Sequence, residues 1–442
     1  MHTFAGKNVV GPTNVNDSNE ASTDPSSIVS KVAWRIVPYI FLCYIVNYLD
    51  RFNVSFAALQ MSSDLGFSEV VYGLGASMFF VGYVIFEIPS NLIMEKVGAR
   101  VWIARIMISW GVVSTCMMMV TTAMSFYALR FLLGVAEAGF FPGMILYLTY
   151  WIPAVQRARA FALFLTSTSL AGVFGGPISG AIFRMEGLYG LKGWQWLFLL
   201  EGIPAVLLGC VTLFYLVDRP AQAKWLSAKD REWLSRIMDK ENETKQLNHG
   251  WTLRQALTHS KIWRLCLLYF SIVISFYGVA FWLPQVVKSL SGLDNTTVAT
   301  LSALPYVAAS IAMVLVANHS DRTGERRWHV AAPAFAGAFG LGSAVYFLQH
   351  QSPWLAFLSI CVAASGIWST LGPFWSLPTA FLSGPAAAGG VALINSVGNV
   401  GGFVGPTVVG YVRQQTHSFT NGMLVLAATL LVAGFLALRV KE

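Results

Sequence analysis

The chain is 442 residues long, 55% hydrophobic and 11% charged, with a mean hydropathy of +0.60 and a formal net charge of +8. Soluble domains carry about 25% charged residues, so a soluble chain of this length would lack the charge to cover its surface, and an integral membrane protein is expected. The positive balance does not point to nucleic acid, because the basic residues sit between apolar runs, where they set orientation in a membrane.

Residues 1–31 are polar, rich in Asn, Ser, Thr and Asp, and no apolar run precedes Ile36. They read as a disordered cytoplasmic tail with no secretory signal. Windows of about 20 apolar residues then predict twelve membrane helices, near 32–57, 70–93, 101–121, 126–150, 158–183, 194–216, 262–288, 297–317, 328–348, 354–382, 388–412 and 420–438. The expected fold is all-α, with two six-helix bundles over 32–217 and 262–438. A polar linker over 218–261, holding Lys224, Lys229, Arg231, Arg236, Lys240 and Lys245, joins them, and 439–442 is a short tail.

The side of both termini carries Lys96, Arg100, Arg157, Arg159, the linker, Arg322, Arg326 and Arg327, whereas the opposite loops hold few basic residues, among them Arg184, Lys192, Lys288 and Arg413. Both termini are therefore expected in the cytoplasm. The five cysteines fall inside apolar runs without metal-ligand spacing and read as packing residues, so no metal or cofactor is expected. The seven histidines lie in tails, loops or helix ends, and any proton relay inside the membrane must use carboxylates.

A repeat supports the two bundles. Asn91-Leu-Ile-Met-Glu95-Lys96-Val-Gly98-Ala-Arg100 follows the second span, and Ala317-Asn-His-Ser-Asp321-Arg322-Thr-Gly324-Glu-Arg326-Arg327 follows the eighth. Both fit small/polar-x-x-x-acid-base-x-Gly-x-Arg. The acids, Glu95 and Asp321, can cap the next helix while Arg100 and Arg322 stay at the lipid headgroups, which makes these loops candidate gates. Gly172, Gly175, Gly176 and Pro177 on the fifth span correspond to Gly401, Gly402, Gly405 and Pro406 on the eleventh, places where helices can pack closely and bend.

The first span carries two adjacent charges, Asp50 and Arg51, in an otherwise apolar run. Each costs roughly 2.5–3.5 kcal/mol at mid-bilayer on insertion scales, so the pair must face protein or a wet cavity. Asn47, Arg51 and Ser55 repeat at i, i+4 and i+8 and form one polar stripe flanked by Tyr48 and Asp50. A guanidinium forks onto a carboxylate through two hydrogen bonds, so Arg51 suits an organic anion; a structural ion pair with a neighbouring helix is the alternative. Asp50 can shed its charge by taking up a proton, as a coupling site must, unless it is permanently paired. Arg130 and Glu137 lie seven residues apart on one face, roughly 10 Å along the fourth span, with Gly134 and Ala138 allowing close helix approach. They read as a coupling pair or as a pair that stabilises the bundle. Glu87, beside Pro89, suits a gating or structural hydrogen bond, and Glu201 could cap a backbone break near Pro204. The second half offers no acid or base at mid-span, only Phe276, Tyr277, Trp282, Trp368, Trp375, Ser376, Asn395 and Asn399.

The paired loops resemble the signature of major facilitator superfamily transporters, the first copy differing with Asn91 for Gly and Glu95 for Asp. More narrowly, Asn47-Tyr48-Leu49-Asp50-Arg51-Phe52-Asn53, Arg130-Phe-Leu-Leu-Gly134-Val-Ala-Glu137-Ala-Gly-Phe-Phe-Pro142-Gly143, Trp194-Gln-Trp-Leu-Phe-Leu-Leu-Glu201-Gly-Ile-Pro204 and Asn395-Ser-Val-Gly-Asn399-Val-Gly-Gly-Phe-Val-Gly-Pro406 are similar to the anion:cation symporter family. That group includes bacterial galactonate, glucarate, tartrate, phthalate and hydroxyphenylacetate permeases. The resemblance, over about residues 32–438, implies a multi-pass monomer of the inner (plasma) membrane that imports a carboxylate with protons. It implies that Arg51 and Asn395 bind substrate, that Tyr48, Tyr83 and Thr168 line the pocket, and that Glu137 is a second proton site with Arg130 switching between the two acids. Thr168 stands where sugar-acid permeases often have Gln, which, with the aromatic residues of the seventh and tenth helices, favours a less hydroxylated or aromatic acid over a hexonate. Proton-independent exchange or uniport is the alternative. A drug or cation antiporter is disfavoured because Arg51 would repel its substrate, and a transporter-like nutrient sensor ranks last for want of a signalling extension. An enzyme is not expected, for no nucleophile, base and metal ligands group together.

Overall fold

The computed structural model describes residues 25–247, 259–381 and 384–440, and the regular elements among them are all helical. In chain order the spans are Pro25–Asp64, Glu69–Val97, Ala99–Cys116, Ala123–Glu137 with Phe140–Trp151, Ala154–Phe183, Gly193–Tyr215, Ser260–Ser291, Asn295–Leu301 with Ala303–Thr323, Arg327–Gln349, Pro353–Ser369 with Leu371–Phe381, Gly384–Thr416 and Phe419–Arg439. Among the described residues eleven are long and apolar enough to cross a membrane, and the helix Ala154–Phe183 stands where the fifth of the twelve is expected. Large apolar side chains such as Phe214, Phe339 and Phe435 are exposed, as helices bathed in hydrocarbon require.

Several boundaries differ from the sequence reading. The first helix begins at Pro25, inside the expected tail, because its early apolar residues, Ile28, Val29 and Val32, are buried against the bundle. Residues 1–24, the linker's 248–258 and the final 441–442 lie outside the described residues. The linker carries the helix Ala228–Leu247, whose Asp230 lies 3.7 Å from Lys31. No break occurs at Pro204. The sixth span is continuous, and Glu201 accepts a hydrogen bond from the Ser179 hydroxyl at 3.2 Å instead of capping an opened turn.

Spans 1 to 6 pack on one another, the third against the sixth and the second against the fourth, and spans 7 to 12 do likewise, the seventh against the eleventh and the ninth against the tenth and twelfth. Across the middle, the second span meets the eleventh, the fifth meets the eighth, and the first meets the seventh. On the side opposite the termini this seam is tight. A Cβ on Gly73 would sit 2.8 Å from the Pro406 carbonyl oxygen, and one on Gly176 would run into the Ala299 carbonyl. Glu69 pairs with Arg413 at 2.7 Å, and the same Arg413 nitrogen donates to Gln285 at 2.8 Å. Tyr72 donates its hydroxyl to the Phe281 carbonyl at 2.7 Å.

The close approach at Gly176 makes a prediction. Valine there puts a side chain where backbone already lies, a type of overpacking that costs about 1–3 kcal/mol, so the seam opens on that face. A cysteine at Ala299, protected in the parent, is expected to react with a membrane-impermeant maleimide at least about tenfold faster in the Gly176→Val variant. Unchanged protection would show that this contact does not hold the seam.

Candidate functional site

The unbroken first helix carries its polar stripe into the seam, where Asn47, Arg51 and Ser55 are all buried. Arg51 is the hub. One guanidinium nitrogen donates to Glu137 of the fourth span and the other to the Tyr277 hydroxyl of the seventh, at 2.8 Å. The rings of Tyr48, Phe79 and Tyr83 surround the cation, with centroids 5.0, 4.9 and 5.4 Å from its central carbon. One cation thus touches both bundles. An aromatic wall continues beyond it in the second bundle, where Trp368 packs on Phe276 at 4.4 Å and on Tyr306 at 5.2 Å, and Tyr306 in turn stacks on Phe52 at 5.9 Å.

Glu137 does not meet Arg130, as the shared helix face suggested. It ends the helix Ala123–Glu137, and the chain then turns through Gly139, whose φ of 85° suits glycine. Arg51 reaches it from the first span, whereas Arg130 lies two turns back along its own helix. Arg130 is fully buried, donates to the Ala76 carbonyl at 2.9 Å and lies beside the Phe79 and Phe281 rings. Among the described residues it pairs with neither acid. Asp50 points away from the seam into the first bundle, where it accepts from Asn53 at 2.9 Å and from the Ser114 hydroxyl of the third span. No ion pair holds it among the described residues, so the permanently paired alternative is not seen.

The remaining expected ligands divide. Tyr48, Tyr83 and Tyr277 gather round Arg51, while Trp368 lies in the aromatic wall. Thr168 is buried but its hydroxyl donates to its own helix, to the Leu165 carbonyl at 3.0 Å, and Ser376 donates to Gly372 at 3.2 Å. Asn395 does not stand free to meet a ligand. Its amide donates at 2.5 Å to Glu87, whose other carboxyl oxygen accepts from Ser396 at 2.9 Å. Asn47 carries the opposite signature, a fully buried amide with neither atom partnered. A buried orphan amide is rare, and this one lies a turn from Arg51.

In the two repeat loops the acids named from sequence are not the caps. Arg100 donates its backbone amide at 2.8 Å to Asp218, from the end of the sixth span, and Glu95 is exposed. In the second copy Glu325 accepts the Trp328 amide at 2.9 Å, while Asp321 pairs with Arg326 at 2.6 Å and Arg322 is exposed. Burial opposes ionisation of Glu325, but the Trp328 amide and the His329 ring hold its carboxyl below the usual range. Asp218 was missed by sequence reasoning because it lies in no motif; Ser396 and Glu325 were inside quoted motifs but not singled out, and Arg326 was the motif's fixed Arg without its pairing to Asp321 being expected. A helix cap is worth about 1 kcal/mol. Accordingly Asp218→Ala is expected to lower Tm of the purified protein, and Glu95→Gln to leave it unchanged; the reverse order would restore Glu95 as the cap.

A family model described as Major Facilitator Superfamily matches residues 40–406. The "Putative tartrate transporter" of Agrobacterium vitis is 49% identical over 93% of this chain and 90% of its own length. The "Putative metabolite transport protein NicT" of Pseudomonas putida is 44% identical over 93% and 94% respectively. Among solved structures, a bacterial homolog of the human lysosomal transporter Spinster superposes with a TM-score of 0.74 at 16% identity, over 92% of this chain and 97% of that one, a likeness of fold.

Proposed function

The chain belongs to the Major Facilitator Superfamily, as a multi-pass membrane transporter and not an enzyme, and from that premise we propose that it imports an organic carboxylate by proton symport, through alternating access around Arg51. The observation that carries this reading is the position of the Arg51 guanidinium, which is buried in the seam and bound to Glu137 of one bundle and Tyr277 of the other. The similarity to a protein named for tartrate supports a carboxylate, and the aromatic wall supports flat or weakly hydroxylated acids; sugar acids, dicarboxylates and aromatic acids all stay in the class.

The coupling follows from competition for one cation. Glu137 occupies one arm of the fork that a substrate carboxylate needs, and Tyr277 the other. With a proton on Glu137 the side chain becomes neutral and Arg51 is left to bind the incoming anion through charge-assisted hydrogen bonds. Removal of that proton on the other side of the membrane restores the Glu137 carboxylate, which displaces the substrate. Proton and anion therefore travel together, since each is held where the other has made room. Asp50, within the first bundle, is the second proton-carrying candidate, and Arg130, two turns from Glu137 on the same helix and bound to the Ala76 carbonyl, is the buried cation that can switch between the two acids. Both termini lie in the cytoplasm in this reading, and the monomer is the working unit.

The test is uptake of radiolabelled hexonates, tartrate, glucarate, phthalate, nicotinate and hydroxyphenylacetate into proteoliposomes, with and without an inward proton gradient. Gradient-driven accumulation of one of them is expected in wild type, and Glu137→Gln should abolish accumulation while counterflow exchange of the same acid continues. Equilibration indifferent to pH and to Glu137 would make the protein an exchanger or uniporter. Arg51→Lys keeps the charge but loses the fork, and should reduce uptake about 10- to 100-fold, the range of one or two charged hydrogen bonds. Uptake at the wild-type rate in that variant would remove Arg51 from the binding site.

A further inference from the structure

Glu87 lies in the second span about 27 Å from its Glu69 end, at 1.5 Å per residue, and so towards the side of the termini. Its carboxyl is buried, and both oxygens are held by the opposite bundle: one by the Asn395 amide at 2.5 Å, the other by the Ser396 hydroxyl at 2.9 Å. The charged and titratable groups that face it are Arg51 from the first span, Tyr83 on its own helix and Tyr269 from the seventh. Arg51 is already paired with Glu137, and no ion pair to Glu87 occurs among the described residues. Its direct partners from the eleventh span are neutral.

An ionised carboxylate buried without a countercharge is expensive, and such groups neutralise instead. The partners suit a neutral acid. Its carbonyl oxygen accepts from the Asn395 amide, and its hydroxyl can donate to Ser396, whose own hydroxyl serves equally as acceptor. Parting the second and eleventh spans on this side breaks both bonds and admits water, which solvates the ionised form.

We propose that Glu87 is a proton-carrying site of the transport cycle: neutral, it bridges the closed seam, and it gives its proton to water when the seam opens on the side of the termini. This rests on the alternating-access part of the proposed function and not on the substrate. Proton release is then tied to opening itself, so that the closed form is favoured at low pH and the open form at high pH. The sign follows from linkage, since the state that binds the proton more tightly gains as pH falls. The cycle also carries a proton beyond the one on Glu137.

The test needs no substrate. Spin labels on cysteines at Lys96 and Trp328, in full-length protein with the native cysteines replaced and reconstituted in nanodiscs, report the opening between bundles on the side of the termini. Every variant is made both with native Glu137, where Arg51 keeps its ion pair, and with Glu137→Gln, which removes that acid's titration. From about pH 5.5 to about pH 8.5 the open population is expected to rise at least about fivefold. Adding Glu87→Gln, whose amide makes the same two hydrogen bonds at every pH, should keep the seam closed throughout, and Glu87→Asp should restore part of the pH response. Asn395→Ala with Ser396→Ala should open it at all pH values. A parent-sized response in the Glu87→Gln protein, a response of opposite sign, or none in the parent with native Glu137 would overturn the proposal. Failure of every carboxylate to accumulate in proteoliposomes, with the pH response intact, would sink the symport reading and leave this one standing.

Discussion

Everything in this structure turns on the rule that a charge in hydrocarbon must find a partner or disappear. Arg51 cannot disappear, because guanidinium stays protonated. It must therefore be wrapped, and the wrapping consists of Glu137, Tyr277 and three aromatic rings. Because the partners come from both bundles, the charge that most needs shielding also holds the halves together at the centre. A carboxylate has the other option, and three of the buried acids use it to different degrees. Glu137 has a cation, Asp50 has neutral donors from its own bundle, and Glu87 has neutral donors from the other.

The fold was legible because hydrocarbon leaves a coarse mark. Twelve apolar runs, a polar linker and a repeated loop suffice to place two sets of six helices. The ends were less visible, since the first helix gains its extra turns from packing of Ile28 and Val32, which hydropathy windows blend into the polar tail. The linker helix Ala228–Leu247 was hidden because few of its residues are apolar, although Leu234 and Met238 are buried and the helix touches the fourth and eleventh spans.

At the site, residue identity was legible and pairing was not. Period and chemistry pick out Arg51, Asp50, Arg130, Glu137 and Glu87 from sequence, because charges stand out in apolar runs. Which acid meets which base depends on how far each helix is rotated and where it breaks. The turn at Gly139 ends the helix at Glu137, and the first span then supplies Arg51 ahead of Arg130. Similarly, the repeat marks where a cap is needed without saying which carboxylate supplies it, and in the first copy it comes from Asp218, 118 residues on in the chain and adjacent in space.

The end of the same seam opposite the termini is fastened differently, by the Glu69–Arg413 ion pair, which is partly exposed and lies against the Phe419 and Trp282 rings. A partly exposed charge pair weakens as salt screens it, whereas the hydrogen bonds of Glu87, neutral as proposed, to an amide and a hydroxyl do not. The two faces of the transporter therefore respond to different properties of the solutions they meet. With Glu87 acting as proposed, ionic strength acts on one end of the seam and proton activity on the other, so the saltiness of the solution on the side opposite the termini biases the resting state without touching the substrate site.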